Sequence, residues 1–340
     1  MSTQLLTYII RRLLLLIPVL IGVSILTFVI MRAAGDPVTA YLQNPEKATP
    51  RQIEIIKEKY HLDEPNYVQY YYWLDGIVHG DWGISQVTKQ PVLKTISERF
   101  PATFELALVS MVFAVAMGIG LGTRAAVRVN SPFDQGTRVM SLVGVSIPVF
   151  WLGVLLLAVF YYYLGWAPQP GRIDKQFDSV WMPTHFMLID SALNLNWDMF
   201  TNAIAHLILP AMTLAFSSTA IIIRIMRSSM LEVLGSEYIR TARSKGLPEK
   251  LVIRKHARRN ALIPTTTVVG LSFGGLLGGA VLTETIFLWP GIGRWSADAA
   301  LNLDTAGIMG FTMLTAIIYV LANLIVDITY ARLDPRVRLG

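Results

Sequence analysis

The chain has 340 residues, of which 53% are hydrophobic and 15% are charged, and its mean hydropathy is +0.49. Soluble domains are usually about 45–50% apolar and about 25% charged, so this composition excludes a soluble enzyme and a disordered protein. The net charge of +6 would suit nucleic-acid binding only if the basic residues formed one exposed face. Cysteine is absent, which excludes disulfides, thiolate metal sites and cysteine nucleophiles.

The hydrophobic residues fall into six runs that are long enough to cross a bilayer, because about 20 apolar residues in a helix span a hydrocarbon core of about 30 Å. The predicted spans are residues 13–31, 103–123, 140–164, 204–226, 265–286 and 308–330. The first run follows Arg11 and Arg12, as a cleaved signal peptide would, but it is too long for one and no small-residue cleavage site follows it. The sequence therefore predicts an all-α, polytopic membrane protein with six transmembrane helices.

The loops that are rich in lysine and arginine indicate the orientation, since such loops stay in the cytoplasm. Basic residues cluster before the first predicted span, after the second, after the fourth and after the sixth. Both termini are therefore predicted to be cytoplasmic, with residues 33–100 and 165–203 outside. Tyr162, Tyr163 and Trp166 lie where the third span should leave the membrane, as expected of an interfacial aromatic belt. The positive charge thus follows from topology, and no nucleic-acid partner is implied.

Three regions are predicted along the chain. Residues 1–100 combine the first span with an external helical segment, residues 101–330 form a five-helix core with a cytoplasmic loop at 227–264, and residues 331–340 form a cytoplasmic tail. In the external segment, Thr49-Pro50 predicts a helix start, residues 66–78 a second helix, and residues 79–83 a turn. This segment is interpreted either as a cap on the outer ends of the spans or as a docking surface for an external partner.

The loop between the fourth and fifth spans is strongly basic and carries a short predicted helix. Ser236 is suited to cap this helix of about ten residues, and Gly246 is suited to end it in the left-handed conformation. Tyr238, Ile239 and Ala242 share one side, which would offer a small apolar face to a groove in a partner protein. The alternative is a basic helix that lies on anionic lipid headgroups.

This loop resembles the cytoplasmic loop of ABC importer permeases, in which a short coupling helix docks onto an ATPase subunit. Arg240-Thr241-Ala242 stands where that family has Glu-Ala-Ala, so Ala242 and Gly246 are the matching positions of the general motif. The string YIRTARxKG…HxxRNAxxP is similar to the dipeptide and oligopeptide permeases instead. Further segments agree with that branch: GDWGIS from residue 80, SIPVFW from residue 146 and TETIFLWPGIGR from residue 283.

The resemblance implies a complex in the bacterial cytoplasmic (inner) membrane that carries peptides, with dipeptides as the expected solute. Its other parts would be a second homologous permease subunit, two cytoplasmic ABC ATPase subunits that bind ATP and Mg, and an external (periplasmic) solute-binding protein. This chain would hold no cofactor and would not be an enzyme. The residues implied to couple it to the ATPase are Glu237, Tyr238, Ile239, Arg240, Thr241, Ala242, Arg243, Lys245, Gly246 and His256.

Motifs for chemistry in the chain itself are missing. No G-x-x-x-x-G-K-[ST] or H-E-x-x-H sequence occurs, so neither a phosphate-binding loop nor a metal site is predicted. Ionisable residues in spans are costly and are therefore functional candidates, here for a translocation path or gate: Glu105, His206 and Glu284. For His206 a hydrogen-bonded packing role is the alternative. A set of glycines with G-x-x-x-G spacing predicts close helix packing, with gating as the alternative: Gly274, Gly275, Gly278 and Gly279.

Two other function classes remain open at this point. An ion-coupled secondary transporter that acts without ATPase partners would show inverted repeats and charges near the middle of the membrane. An intramembrane enzyme would need catalytic pairs inside the spans, and no H-E-x-x-H or G-x-S-x-G sequence is present. The solute also stays open among a dipeptide, a longer peptide, glutathione, haem and a metal complex.

Overall fold

The computed structural model describes residues 3–34, 38, 41–42, 47–177, 180–278 and 280–333, which form helices and no β-sheet. The helices are α1 (Thr3–Ala34), α2 (Pro50–Lys59), α3 (Asn66–Val78), α4 (Val92–Val127), α5 (Pro132–Ser146), α6 (Val149–Leu156), α7 (Met187–Leu193), α8 (Trp197–Leu234), α9 (Glu237–Ser244), α10 (Glu249–Leu251), α11 (Arg258–Leu277), α12 (Val281–Ile286), α13 (Ile292–Leu301) and α14 (Thr305–Leu333). Two π-helical stretches, Leu157–Tyr163 and Val252–Ala257, extend α6 and join α10 to α11.

Four continuous helices are long and apolar enough to cross a membrane: α4, α8, residues Glu249–Leu277 and residues Thr305–Val326. A bent helix pair, Pro132–Ser146 with Val149–Tyr163, raises the number to five if it counts as one span. In α1 the apolar stretch Ile17–Ala33 is shorter. The chain is thus an all-helical protein with four to five candidate spans in its described residues.

The third predicted span is not one straight helix. The helix axis turns by 102° between α5 and α6, and Ile147 at the break has an extended backbone (φ −77°, ψ 125°). The cause is Pro148, which has no N–H to donate and whose ring disfavours a helical conformation at the preceding residue. The fifth predicted span is also interrupted, because α11 ends at Leu277 and α12 begins at Val281.

The two longest helices, α4 and α8, pack along each other through glycines. A Cβ atom at Gly118 would lie 2.5 Å from Ile222 Cγ2, and one at Gly122 would lie 2.9 Å from the carbonyl oxygen of Ile223. Any larger side chain at these positions would force the helices apart. This close contact makes α4 and α8 the centre of the fold.

Among the glycines predicted to pack, Gly274 and Gly278 of the α11 end contact α14. A Cβ at Gly274 would lie 2.7 Å from Ala322 Cβ, and one at Gly278 would lie 3.1 Å from Thr315 Cγ2. The packing prediction does not hold for Gly275 within this chain, since nothing lies within 4 Å of a Cβ there. Gly279 lies outside the described residues.

The segment predicted to be external contains the predicted helices. Thr49 caps α2 reciprocally with Gln52, and Pro50 occupies the first helical position. Gly80 and Gly83 both adopt positive φ in the predicted turn, at +87° and +79°. The segment packs on the spans through an apolar cluster that joins Trp73 to α1 and α14: Phe28, Met31, Trp73, Met309 and Met313. These contacts support the interpretation of the segment as a cap.

Candidate functional site

The predicted short helix is α9, which has eight residues and lies between α8 and the Glu249–Leu277 helix. Ser236 occupies the N-cap position with extended backbone, but the predicted side-chain cap is not made. Its Oγ instead donates to the carbonyl oxygen of Val233, 2.6 Å away, and so closes the end of α8. Gly246 has φ +75° and ends the segment in the left-handed conformation, as its position predicts.

Two residues of the predicted apolar side of α9, Ile239 and Ala242, face the chain's own core and not a partner, whereas the third, Tyr238, is 43% exposed. Ile239 is fully buried and Ala242 is 7% exposed. Both lie in one cluster with residues of α4, α8 and the segment after α10: Ala126, Met226, Met230, Val252, Ala257 and Ala261. An amphipathic pattern predicts that one face is covered, but it does not specify whether the same chain or a second chain covers it.

The rest of α9 and its C-cap are exposed and mostly polar, and they carry the other predicted coupling residues: Glu237, Tyr238, Arg240, Thr241, Arg243 and Lys245. Asn260 Nδ2 donates to the Tyr238 hydroxyl at 2.7 Å, which ties this side of α9 to α11. Arg243 forms a two-pronged pair with Glu249, with Nη2 to Oε1 at 2.7 Å, and this carboxylate raises the pKa of the Arg243 guanidinium. His256 is half-buried in the π-helical stretch. The polar side of α9 is therefore the surface available to a partner.

Glu284 of α12 is fully buried and holds three elements together. Thr103 Oγ1 of α4 donates to Glu284 Oε1 at 2.7 Å, and the Arg294 amide donates to Oε2 at 2.9 Å. The carboxylate thus caps the N-terminus of α13, where unpaired amides and the helix dipole favour a negative charge. In this conformation Glu284 is an anchor between helices.

Glu105 of α4 is also an anchor. Its Oε2 lies 2.7 Å from Arg172 Nη2, and its Oε1 accepts the amide of Leu188 at 2.8 Å in the first turn of α7. Arg172 also donates to the carbonyl oxygen of His185 at 2.8 Å. Glu105 thereby fastens the segment between the third and fourth predicted spans to the helix core.

His206 of α8 is 4% exposed, and its Nδ1 lies 3.0 Å from the carbonyl oxygen of Asn202, one helical turn away. Its Nε2 lies 3.5 Å from Asp174 Oδ1, an acid that Asn202 Nδ2 also contacts at 2.6 Å. The three predicted path residues are therefore buried polar contacts in this conformation. Among the described residues, no group of three or more histidine, aspartate or glutamate side chains is placed to hold a metal ion.

One charged pair was not predicted. Asp134 in the first turn of α5 is fully buried and accepts two hydrogen bonds from Arg227 of α8, Nε to Oδ1 at 2.5 Å and Nη2 to Oδ2 at 2.8 Å. The Asn130 amide also donates to Asp134 Oδ2, at 3.1 Å. The pair ties the first turn of α5 to the last turns of α8, the helix that precedes α9. The sequence feature that could have indicated this pair is Asp134 itself, the one acidic residue among the arginines after the second predicted span.

The chain matches a known family along nearly its whole length. Residues 118–339 match the family model described as binding-protein-dependent transport system inner membrane component, and residues 5–107 match the model of the N-terminal part of such membrane components. The chain belongs to this family. It is therefore a multi-pass permease component of the inner membrane, and the family prediction made from the motifs is confirmed.

Three relatives show the branch to which the permease is similar. The probable D,D-dipeptide transport system permease protein DdpB of Escherichia coli (strain K12) is 44% identical over 96% of this chain and 95% of the relative. The dipeptide transport system permease protein DppB of the same strain is 43% identical over 98% of this chain and 99% of the relative. The oligopeptide transport system permease protein AppB of Bacillus subtilis (strain 168) is 43% identical over 97% of this chain and 98% of the relative.

Proposed function

We propose that the chain is the transmembrane permease subunit of an ATP-driven importer that carries peptides, foremost dipeptides, across the cytoplasmic membrane. It receives the solute from an external binding protein and is coupled to cytoplasmic ATPase subunits. The printed names of its relatives support a peptide as the solute. The single observation that supports coupling is α9, a short helix whose apolar side is buried in this chain and whose polar side is exposed.

The proposed assembly contains a second homologous permease subunit, two ABC ATPase subunits that bind ATP and Mg, and the binding protein. In it the chain crosses the bilayer six times with both termini inside, α1 being one crossing and the pair α5–α6 another. Hydrolysis of ATP belongs to the partner subunits, and this chain supplies no catalytic residue. Residues 1–100 form the external part with the first span, 101–330 the five-helix core, and 331–340 the tail.

The mechanism proceeds from α9 into the spans. The exposed side of α9, with Tyr238, Arg240 and Thr241, docks on an ATPase subunit. Ile239 and Ala242 fix α9 to α8 and to the segment after α10, and close-packed interiors transmit displacement with little compression. Closure of the ATPases therefore shifts these helices as rigid bodies between inward- and outward-facing states. The pair Asp134–Arg227 passes the same movement to α5.

The predicted path role of Glu284, Glu105 and His206 requires a second conformation. Here Glu284 caps α13 and Glu105 holds α7, so each must give up these contacts before it can face a solute. A zwitterionic peptide needs polar walls that bind it weakly, since tight binding would retain it in the membrane. A path that gains its polar groups only when the helices move meets this requirement.

Transport by the reconstituted complex tests the proposal. Proteoliposomes that contain both permease subunits and the ATPase subunits are supplied with the binding protein outside and ATP with Mg inside, and uptake of a radiolabelled dipeptide is measured. We expect uptake that requires both ATP and the binding protein. Uptake by this chain alone, driven by an ion gradient without ATPase subunits, would establish the secondary transporter instead.

A further inference from the structure

A groove lies beside the crossing of α5 and α8. The helices run antiparallel there, since Asp134 pairs with Arg227 at one end and a Cβ at Gly144 would lie 2.6 Å from Ala220 Cβ at the other. The groove is open to the surroundings and has a volume of about 640 Å³. Its walls come from α5 and from the inner part of α8, so both helices of the crossing shape it.

One end of the groove is cationic. Arg138 of α5 and Arg224 of α8 are exposed, and neither forms a hydrogen bond or an ion pair within the part of the chain that the structure describes. Arg227 lines the groove too, and its pairing with the buried Asp134 uses two of its nitrogens. Three guanidinium groups against one carboxylate give this end a net positive charge.

The other end of the groove is apolar. Val139, Leu142 and Val145 line it with exposed fractions of 62%, 70% and 47%. They follow Arg138 along α5, and the last lies about 10 Å beyond it at a rise of about 1.5 Å per residue. On the antiparallel α8 the groove is lined by Arg227 and Arg224 at the cationic end and by Ile223, which is only 1% exposed. Charge therefore gives way to exposed apolar surface along the α5 wall.

We propose that this groove binds an anionic phospholipid of the inner leaflet. Its phosphate lies between Arg138 and Arg224, and an acyl chain lies along Leu142 and Val145. Guanidinium groups bind phosphate oxygens in a two-pronged geometry, and basic pockets between membrane helices on the cytoplasmic side suit anionic headgroups. The cationic end belongs to the side predicted to be cytoplasmic, so the headgroup lies at the inner surface and the chain points toward the membrane centre.

A photoreactive lipid tests the site in the assembled complex. The complex is placed in nanodiscs of phosphatidylcholine with a small fraction of photoreactive phosphatidylglycerol, and labelled peptides are identified by mass spectrometry. We expect labels on peptides of α5 and of residues 223–228, and weak labelling by photoreactive phosphatidylcholine at the same level. Neither solute nor ATP is needed, so the result stands apart from the proposed transport function.

The decisive variant is Arg138→Gln with Arg224→Gln. Its affinity for the anionic probe should fall about 25-fold, because each arginine near an anionic surface contributes about 1 kcal/mol and 1.4 kcal/mol corresponds to tenfold. The matched control is Arg124→Gln with Arg128→Gln, which removes the same charge from exposed positions at the end of α4 and should leave the labelling unchanged.

Three results would overturn the lipid site. The first is equal labelling of the decisive variant and the wild-type complex. The second is displacement of the probe by millimolar inorganic phosphate, which would show a site for free anions. The third is cross-linking of Leu142→Cys to the second permease subunit in most complexes, which would show that a protein covers the groove.

Discussion

Glu105 and Arg172 form an ion pair at 2.7 Å although their side chains are only 6% and 9% exposed. They lie 67 positions apart in the chain, so the pair fixes the segment between the third and fourth predicted spans to α4. A buried pair offers little net stability over an apolar replacement, but removal of one partner leaves a charge without compensation. The segment that holds Arg172 thus depends on an acid in another helix.

Glu105→Ala should therefore destabilise the permease by about 3–5 kcal/mol, since Arg172 would stay buried without a carboxylate. The measurement is thermal unfolding of the purified complex, with limited proteolysis of residues 165–196. The matched control is Glu98→Ala, which removes an exposed contact of 3.9 Å with Lys94 and should cost about 0–1 kcal/mol. Equal losses in the two variants would show that the pair has no special role.

Substitutions on the two sides of α9 should separate folding from coupling. Thr241→Trp adds bulk on the exposed side, so the complex should fold normally but lose ATPase stimulation by the binding protein. Ala242→Trp should reduce folded protein instead, because overpacking a core costs about 1–3 kcal/mol and this site admits no side chain of that size. Expression, thermal stability and stimulated ATPase activity are measured for both.

A tryptophan in the segment predicted to be external provides the control for the α9 experiment. Glu58→Trp in α2 adds the same bulk at an exposed position outside the loop and should leave stimulation unchanged. Normal ATPase stimulation in the Thr241→Trp variant would show that the exposed side of α9 does not contact the ATPase subunit.

Gly246→Ala should lower stability by about 1–2 kcal/mol, the cost of a side chain in the left-handed region. Space is not the cause, because nothing lies within 4 Å of a Cβ there, whereas φ is +75°. Gly235→Ala is the matched control, since its φ of −84° suits alanine and its change should be small or stabilising. Thermal unfolding of both variants checks the difference, and an unchanged melting temperature for Gly246→Ala would contradict it.

Neighbouring glycines in α11 should respond differently to the same substitution. Gly274→Val should destabilise the contact with α14, whereas Gly275→Val should be tolerated, because only the first lies against Ala322. Adding Ala322→Gly to Gly274→Val should restore part of the stability by returning space. Melting temperatures of the three variants are compared, and a larger loss for Gly275→Val than for Gly274→Val would refute this packing.

The predicted orientation can be tested with single thiols, because the chain has no cysteine of its own. A cysteine in place of Glu54 in α2 should react with an impermeant thiol reagent from outside intact cells. One in place of Lys250 should react only after permeabilisation. The reverse labelling pattern would show that the chain has the opposite orientation in the membrane.

The sequence was sufficient for elements with strong local signals. The helix predicted over residues 66–78 has the bounds of α3, and Thr49-Pro50 begins α2 as the capping pattern indicates. The left-handed conformation of Gly246 was predicted because glycine adopts it readily and Pro248, two residues later, cannot continue the helix. Family membership followed from several motifs spread over the chain.

Tertiary contacts explain what the sequence did not predict. Hydropathy identifies residues 140–164 as an apolar run, but it does not show whether the helix axis is straight. The break before Pro148 was therefore not predicted. The helical period placed Ile239 and Ala242 on one face without specifying that residues of α8 cover it. Asp134 and Arg227 are 93 positions apart, and no local pattern links them.

The bend at Ile147 also determines what can surround the third membrane segment. Pro148 has no N–H to donate to the carbonyl oxygen of Gly144, and the chain turns by 102° before later amides can follow the helix. In hydrocarbon a backbone oxygen without a donor is strongly unfavourable, and acyl chains offer no donor. Gly144 is buried against Phe216 and Ala220 of α8, so the backbone just before the break is covered by protein and not by acyl chains.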